Sequence, residues 1–210
     1  MAAPEISHPL FARFFDRLSR SMEPEVGPRR EELLAGLSGR VLEVGAGNGI
    51  NFRHYPNSVE EVVALEPEPY MRARAERAAG SSSVKVRVSA GVAEALPFPD
   101  ASFDGAVACL VLCTVRDQAL AVAELRRVLK PGGELRFLEH VRSPQAVKAR
   151  AQSALDRAGV WPWLGGGCHC SRDTVALIRD AGLELKHARS VDLGPSWAPT
   201  NPHVLGAATR

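Results

Sequence analysis

The chain has 210 residues, a length that suits one domain, residues 1–210, with a full hydrophobic core. Hydrophobic residues make up 45% and charged residues 24%, and the net charge of +2 gives no electrostatic case for a nucleic-acid or membrane partner. No run approaches the ~20 apolar residues of a membrane span, and "MAAPEISHPLF" lacks the basic-then-apolar pattern of an export signal, so the four cysteines are expected as reduced thiols in the cytoplasm.

In chain order, "HPLFARFFDRLSRSME" places Leu10, Phe11, Phe14, Phe15, Leu18 and Met22 at helical spacing, with Arg13, Arg17 and Arg20 on another face. That pattern predicts an amphipathic helix within an N-terminal helical cap over residues 1–36. It either packs on the domain or closes as a lid over a ligand. From Arg40 onward, short apolar runs alternate with helical stretches. "RVLEVG", "EVVALE", "VKVRVSA", "FDGAVACLVL" and "GELRFLEHV" read as buried strands. "PYMRARAERAA" and "VRDQALAVAELRRVL" read as the helices between them, the second stopped by "LKPGG". Strand–helix alternation predicts an α/β fold, a parallel sheet covered on both faces. Near the C-terminus, "SRDTVALIRDAG" predicts a helix capped by Ser171 or Asp173. The runs "LELKHARSV" and "PHVLGAA" follow with no room for a crossover helix between them, so they are expected to be antiparallel neighbours.

The chemistry concentrates at "LEVGAGNGINF", Leu42–Phe52. Gly45, Gly47 and Gly49 follow a strand, let the backbone turn sharply and let a ligand approach it closely; a helix is expected from about Ile50. A dinucleotide loop would read G-x-G-x-x-G, and Ile50 stands where its third glycine would be, which argues against a nicotinamide-dependent oxidoreductase. Glu43 lies in the strand before the loop. Glu66 ends the next strand, where an acid can accept hydrogen bonds from both hydroxyls of a ribose.

Together with "GVAEALPFPDASFD" and "ELRRVLKPGG", these features make the chain resemble the class I S-adenosylmethionine-dependent methyltransferases of type 11, the ubiquinone-methyltransferase-like group. The resemblance is strong over Arg40–Gly133. It implies a Rossmann-like sheet of seven strands in the order 3-2-1-4-5-7-6, strand 7 antiparallel, and S-adenosyl-L-methionine as cofactor. "LVLCTVRDQ", "LEHV", "GCHCSRDT" and "PSWAPTNPHVLGAA" further resemble the branch that methylates small alkyl thiols. Membrane-bound animal members of that branch begin with a hydrophobic anchor, and no such run stands at this N-terminus.

By this resemblance Gly45, Gly47 and Gly49 would wrap the methionine and ribose of the cofactor, with Asn48 and Asn51 beside them. Glu43 would hold the loop or the methionine amino group, and Glu66 the ribose. Pro67 and Met71 would flank the adenine, and Ala93 and Glu94 would meet its edge. Relatives often carry an aspartate where Val92 stands, leaving the adenine amino group to backbone groups or Glu94. Cys109 and Leu110 would meet the methionine portion.

The acceptor is expected to be a small, fairly apolar molecule, S-methylated through a thiol, with O- or N-methylation of a quinone or other natural product as the alternative. A cofactor sensor without catalysis is a different reading, and scattered basic residues do not favour RNA. A free thiol is already partly ionised and strongly nucleophilic near neutrality, whereas a phenol gains more from a base. His140, after the fifth strand, is the candidate base or substrate orienter. Phe11, Phe15, Cys113, Cys168, Trp197 and His203 are the further candidates for the acceptor pocket, and Trp161 and Trp163 could serve in the same way. Cys168 and Cys170 are spaced C-x-C rather than the C-x₂₋₄-C of structural zinc sites, and no second close pair completes a set, so no metal is expected. A pocket lined by Cys113, Cys168 and Cys170 that binds a thiophilic substrate is a separate reading. The sequence does not set the oligomeric state.

Overall fold

The computed structural model describes residues 9–210, so the first eight residues of the expected cap lie outside the described residues. Two helices come first, α1 (Pro9–Ser21) and α2 (Glu23–Leu34). The sheet elements follow: β1 (Gly39–Val44), β2 (Val59–Leu65), α3 (Pro69–Ala79), β3 (Lys85–Ser89), β4 (Phe103–Cys109), α4 (Gln118–Val128) and β5 (Leu129–His140). After them come α5 (Ala146–Arg157), α6 (Val160–Leu164), α7 (Thr174–Asp180), β6 (Glu184–Val191) and β7 (His203–Thr209).

The strands form one seven-stranded sheet in the order β3-β2-β1-β4-β5-β7-β6. β7 runs antiparallel to both of its neighbours, and the other described pairings are parallel. This is the expected Rossmann-like class I methyltransferase fold, including the antiparallel terminal pair.

Side-chain alternation splits the core into two layers. Leu42, Val44, Val63, Leu65, Leu135 and Phe137 face one side, against Ala121, Leu125 and Val128 of α4 and Ile178 of α7. Val41, Val62, Ala64, Val107 and Leu138 face the other, against Leu33 and Leu34 of α2 and Ala75 of α3. Strands buried on both faces must read as continuous apolar runs, which is why they were visible as such. Asp117 caps α4 by accepting the Leu120 N–H, and Asp173 rather than Ser171 caps α7 by accepting the Ala176 N–H.

Two expectations fail. Ile50–His54 is a short 3₁₀ turn, not the start of an α-helix. The chain there returns to β2 at Val59 through Pro56, leaving too few residues for a longer helix. In α1 the inward residues are Ala12, Asp16 and Ser19, while Leu10 and Phe14 stand 83% and 60% exposed. Small and short polar side chains let the helix approach the glycine loop closely and leave part of the apolar stripe outside.

Candidate active site

The C-terminal ends of β1, β2, β4 and β5 open onto one cavity of about 710 Å³, the edge at which α/β sheets of this kind hold ligands. One end is lined by Gly45, Gly47, Glu66, Pro67 and Met71, with Ala93 and Glu94 beyond them. The other is lined by Cys113, His140, Cys168 and His203. Phe11 and Phe15 of α1 cover it.

Backbone conformation shapes the first end. Gly45, Gly47 and Gly49 have φ of +63°, +57° and +76°. A Cβ on Gly45 would lie 2.2 Å from Val111 Cγ2, and one on Gly49 would lie 2.7 Å from Phe52 Cε2. Leu110, which follows β4, also has a positive φ of 58°, a conformation that costs a non-glycine residue energy and recurs at ligand sites. Its N–H donates to Leu138 O at 2.7 Å, and the residue borders the cavity.

Three acids take distinct positions. Glu66 accepts the Gly47 N–H at 2.7 Å and the Glu68 N–H at 2.9 Å. Burial raises its pKa, opposed by those N–H groups. Glu43 lies beneath the loop, accepting from Asn51 Nδ2 at 2.7 Å and the Tyr55 hydroxyl at 2.8 Å. Burial pushes its carboxyl up to about 7. Glu94 spends Oε1 on the Arg116 N–H at 2.8 Å. Glu43 and Asn51 are therefore supports of the loop and do not border the cavity; the hydrogen bonds that bury them hold them below it. Asn48 and Gly49 likewise face away. Asn48 Nδ2 donates to Asp16 Oδ1 and to Ser19 Oγ, both at 2.9 Å, which ties α1 to the loop. Cys109 points at Arg30 (Nη1 to Sγ 3.3 Å), and burial pushes its thiol up to about 11.

At the second end, His140 Nδ1 lies 3.4 Å from Cys113 Sγ and 3.2 Å from Cys168 Sγ. The Cys113 thiol and His140 together draw Cys168 down to about 5, and the Cys168 contact and burial push Cys113 well above the usual thiol range. The His203 ring stands edge-on to His140, centroids 4.5 Å apart, and burial beside His140 lowers its pKa to about 3. Its Nδ1 is buried with no hydrogen-bond partner among the described residues.

The structure corrects three pocket expectations. Trp197 is 81% exposed and outside the cavity wall, carried outward by the turn between Pro195 and Pro199. Trp163 is 82% exposed, whereas Trp161 lines the cavity. Cys170 is turned away, its Sγ 3.4 Å from Asp156 Oδ1, so Cys168 and Cys170 do not act as a pair. The turn that begins at Cys170 sends the two thiols to different neighbours.

Several residues that shape the site were not singled out from sequence. Arg30, buried on α2, borders the cavity and donates to Asn51 Oδ1 at 2.6 Å. Asp16 gathers Asn48, Arg20 and Arg74. Glu139 accepts three backbone N–H groups in the turn after β4. A buried charge in an amphipathic helix was the only available signal for Arg30 and Asp16, and it reads equally well as a solvated face.

A methyltransferase domain family model matches residues 42–137. The mouse (Mus musculus) thiol S-methyltransferase TMT1B is 33% identical over 182 residues, covering 84% of this chain and 74% of the relative. Human (Homo sapiens) TMT1A, also a thiol S-methyltransferase, is 29% identical over 95% of this chain and 86% of its own. A demethylmenaquinone methyltransferase of Deinococcus radiodurans is 36% identical over 60% of this chain and 55% of its own. The N-methyltransferase NodS of Bradyrhizobium japonicum, solved with S-adenosylhomocysteine, superposes with a TM-score of 0.68 at 16% identity, over 90% of this chain and 87% of that one. The [4+2]-cyclase SpnF superposes at 0.69 with 23% identity over 87% and 80%, so the fold alone does not fix a reaction. With the sheet order, the glycine loop and these relatives together, the chain belongs to the class I S-adenosylmethionine-dependent methyltransferases, related to the TMT1 branch, and is an enzyme that uses this cofactor on a small molecule.

Proposed function

We propose that the acceptor is a small, fairly apolar thiol and that the reaction is S-methylation. The observation that carries this is the far end of the cavity. It is walled by Phe11, Phe15 and Trp161 and carries two thiols and an imidazole, groups that suit a soft sulfur acceptor. Similarity to thiol S-methyltransferases supports the same reading.

The cavity's first end fits the cofactor. Gly45 and Gly47 present backbone without side chains, and Glu66 has lone pairs left after its two backbone bonds. Gly45, Gly47 and Leu110 would hold the methionine portion, Glu66 the ribose hydroxyls, and Pro67, Met71, Ala93 and Glu94 the adenine. Glu43, Asn51 and Arg30 hold the loop from beneath. When bound, S-adenosylmethionine supplies a methyl carbon on a sulfonium, and that positive charge is lost as an acceptor displaces the sulfur. The protein's task is orientation and exclusion of water, because a well-aligned displacement in a dry site is strongly favoured. Residues 9–34 serve as the cap, with α1 held over the loop by Asp16 and against the opposite wall by Phe11. A Cβ on Gly166 would stand 2.1 Å from Phe11 Cε1, so only glycine admits that closure.

On this reading His140 orients the acceptor rather than acting as a base. Its Nδ1 is engaged by two thiols, and a thiol acceptor needs less help than a phenol. The test is a panel of alkyl thiols, phenols, quinols and amines with isotope-labelled cofactor. Turnover of thiols above all others is expected, and label confined to oxygen or nitrogen acceptors overturns the reading.

A further inference from the structure

We infer that Cys113, His140 and Cys168 form a binding site for one zinc ion at the acceptor end of the cavity, whose open position takes the sulfur of the thiol acceptor. This rests on the S-methylation reading above for its function and on geometry for its existence.

The three donor atoms, two sulfurs and Nδ1, all lie within 4.8 Å of one another. Tetrahedral zinc with bonds of about 2.3 Å to sulfur and about 2.0 Å to nitrogen separates such donors by roughly 3.6 Å. The observed sulfur–nitrogen distances of 3.4 and 3.2 Å need only a small spread to admit the ion. Two thiolates and an imidazole are a borderline-soft set that suits zinc, and three protein ligands with a vacancy is the pattern of catalytic rather than structural zinc.

The donors are fixed before any ion arrives. Glu139 Oε2 accepts the Cys113 N–H at 3.2 Å, and the His169 N–H donates to Cys113 O at 2.8 Å, tying the Cys168 loop to the Cys113 turn. Arg172 donates to Leu112 O at 2.6 Å and Val115 O at 2.7 Å, clamping the turn from both sides. Both thiols are buried, and all three ligands border the cavity, which places the vacancy toward the acceptor. A second observation comes from the ring packed against His140. His203 is 3% exposed and borders the same cavity, and its buried Nδ1 has no hydrogen-bond partner among the described residues. Buried polar groups of this kind are as a rule met by an ordered water or a ligand where no protein group meets them.

Zinc coordination deprotonates a thiol outright near neutral pH. The acceptor's S–H bond gives its proton to solvent as sulfur takes the vacancy. The thiolate's electron pair then forms the new sulfur–carbon bond, while the methyl–sulfonium bond breaks and its pair returns to the departing sulfur. No oxidant or reductant enters.

The experiment uses the full chain, purified under reducing conditions, stripped with a chelator and titrated with zinc and then cobalt(II). One ion per chain is expected, with thiolate-to-cobalt charge-transfer absorption and tetrahedral d–d bands. Cys113→Ser and Cys168→Ser should each weaken binding at least about tenfold. Cys170→Ser should leave it unchanged. A small alkyl thiol should shift the cobalt bands, and the matching alcohol should not. Absence of stoichiometric metal in the wild-type chain overturns the site, whether or not the variants fold. So does equal affinity in folded Cys113→Ser and Cys168→Ser, or isolation of Cys113 and Cys168 as a disulfide that persists in thiol reductant. Undiminished thiol methylation by metal-free enzyme overturns the zinc role and leaves S-methylation standing. Stoichiometric cobalt whose bands ignore thiols, with no thiol methylated, overturns S-methylation and leaves the metal site standing.

Discussion

The Glu139 carboxylate sits beneath Cys113: Oε2 accepts the Cys113 N–H at 3.2 Å, while Oε1 accepts those of Val111 and Leu112 at 3.0 and 2.9 Å. One fully buried side chain of β5 thus fixes the turn after β4. Glutamine at this position must set its NH₂ group against at least one of those donors. Glu139→Gln is expected to cost about 2–4 kcal/mol of stability and to lower turnover beyond what unfolding explains. Urea unfolding and activity at a temperature where the variant is folded check both.

Glu66 should divide cofactor affinity from acceptor affinity. Glu66→Ala removes both the Gly47 tether and the carboxylate that we propose meets the ribose. Calorimetric titration with S-adenosylhomocysteine should show binding weakened roughly 100-fold, about 2.7 kcal/mol. Unchanged affinity would remove Glu66 from the cofactor site.

Asp16 ties α1 to the glycine loop through Asn48. Its carboxyl is drawn below the usual range, burial being outweighed by Asn48, Arg20 and Arg74. Asp16→Ala should free α1 from the glycine loop, raising KM for the cofactor about tenfold and speeding tryptic cleavage at Arg17 and Arg20. A cap that only packs on the domain would show the faster cleavage without the change in KM.

Glu61 supplies an acid-sensitive share of stability at the far edge of the sheet. Burial pushes its carboxyl up, and Arg87, Lys85 and Arg40 outweigh that and hold it at about 2. A lowered folded-state pKa means that the contribution is fully present above the usual value of 4.5 and fades as pH falls toward 2. Because Lys85 and Arg87 are largely exposed, about 1–2 kcal/mol is the expected size. Glu61→Gln should lower the melting temperature at pH 7, and its gap from wild type should close below pH 4.5.

The sheet was legible because strands sandwiched between helices must be continuously apolar, as Val62–Leu65 and Ala106–Ala108 are. The glycine loop and Glu66 were legible because left-handed backbone demands glycine and a strand end is a fixed address. The acceptor end was harder. Cys113 and His140 are 27 residues apart and His140 and Cys168 another 28, so no local spacing marks their meeting. The local C-x-C pattern gave no help, because Cys170 turns to Asp156. In α1, hydrophobic periodicity identified the helix and misjudged its inner face, since Asp16 and Ser19 are held inward by Asn48, a residue on a distant loop.

β7 pairs His203 with His140 across the antiparallel ladder. The strand that completes this wall of the cavity therefore follows the other six strands of the sheet in the chain, and it lies between β5 and β6 rather than at the sheet's margin. A ribosome that has released residues 1–190 has delivered every backbone group of the cofactor loop but no finished place for a substrate. Loss of residues 203–210 would remove His203 and the ladder that carries β6. A finished substrate cavity in this protein thus waits on the strand of the sheet that is made after the other six.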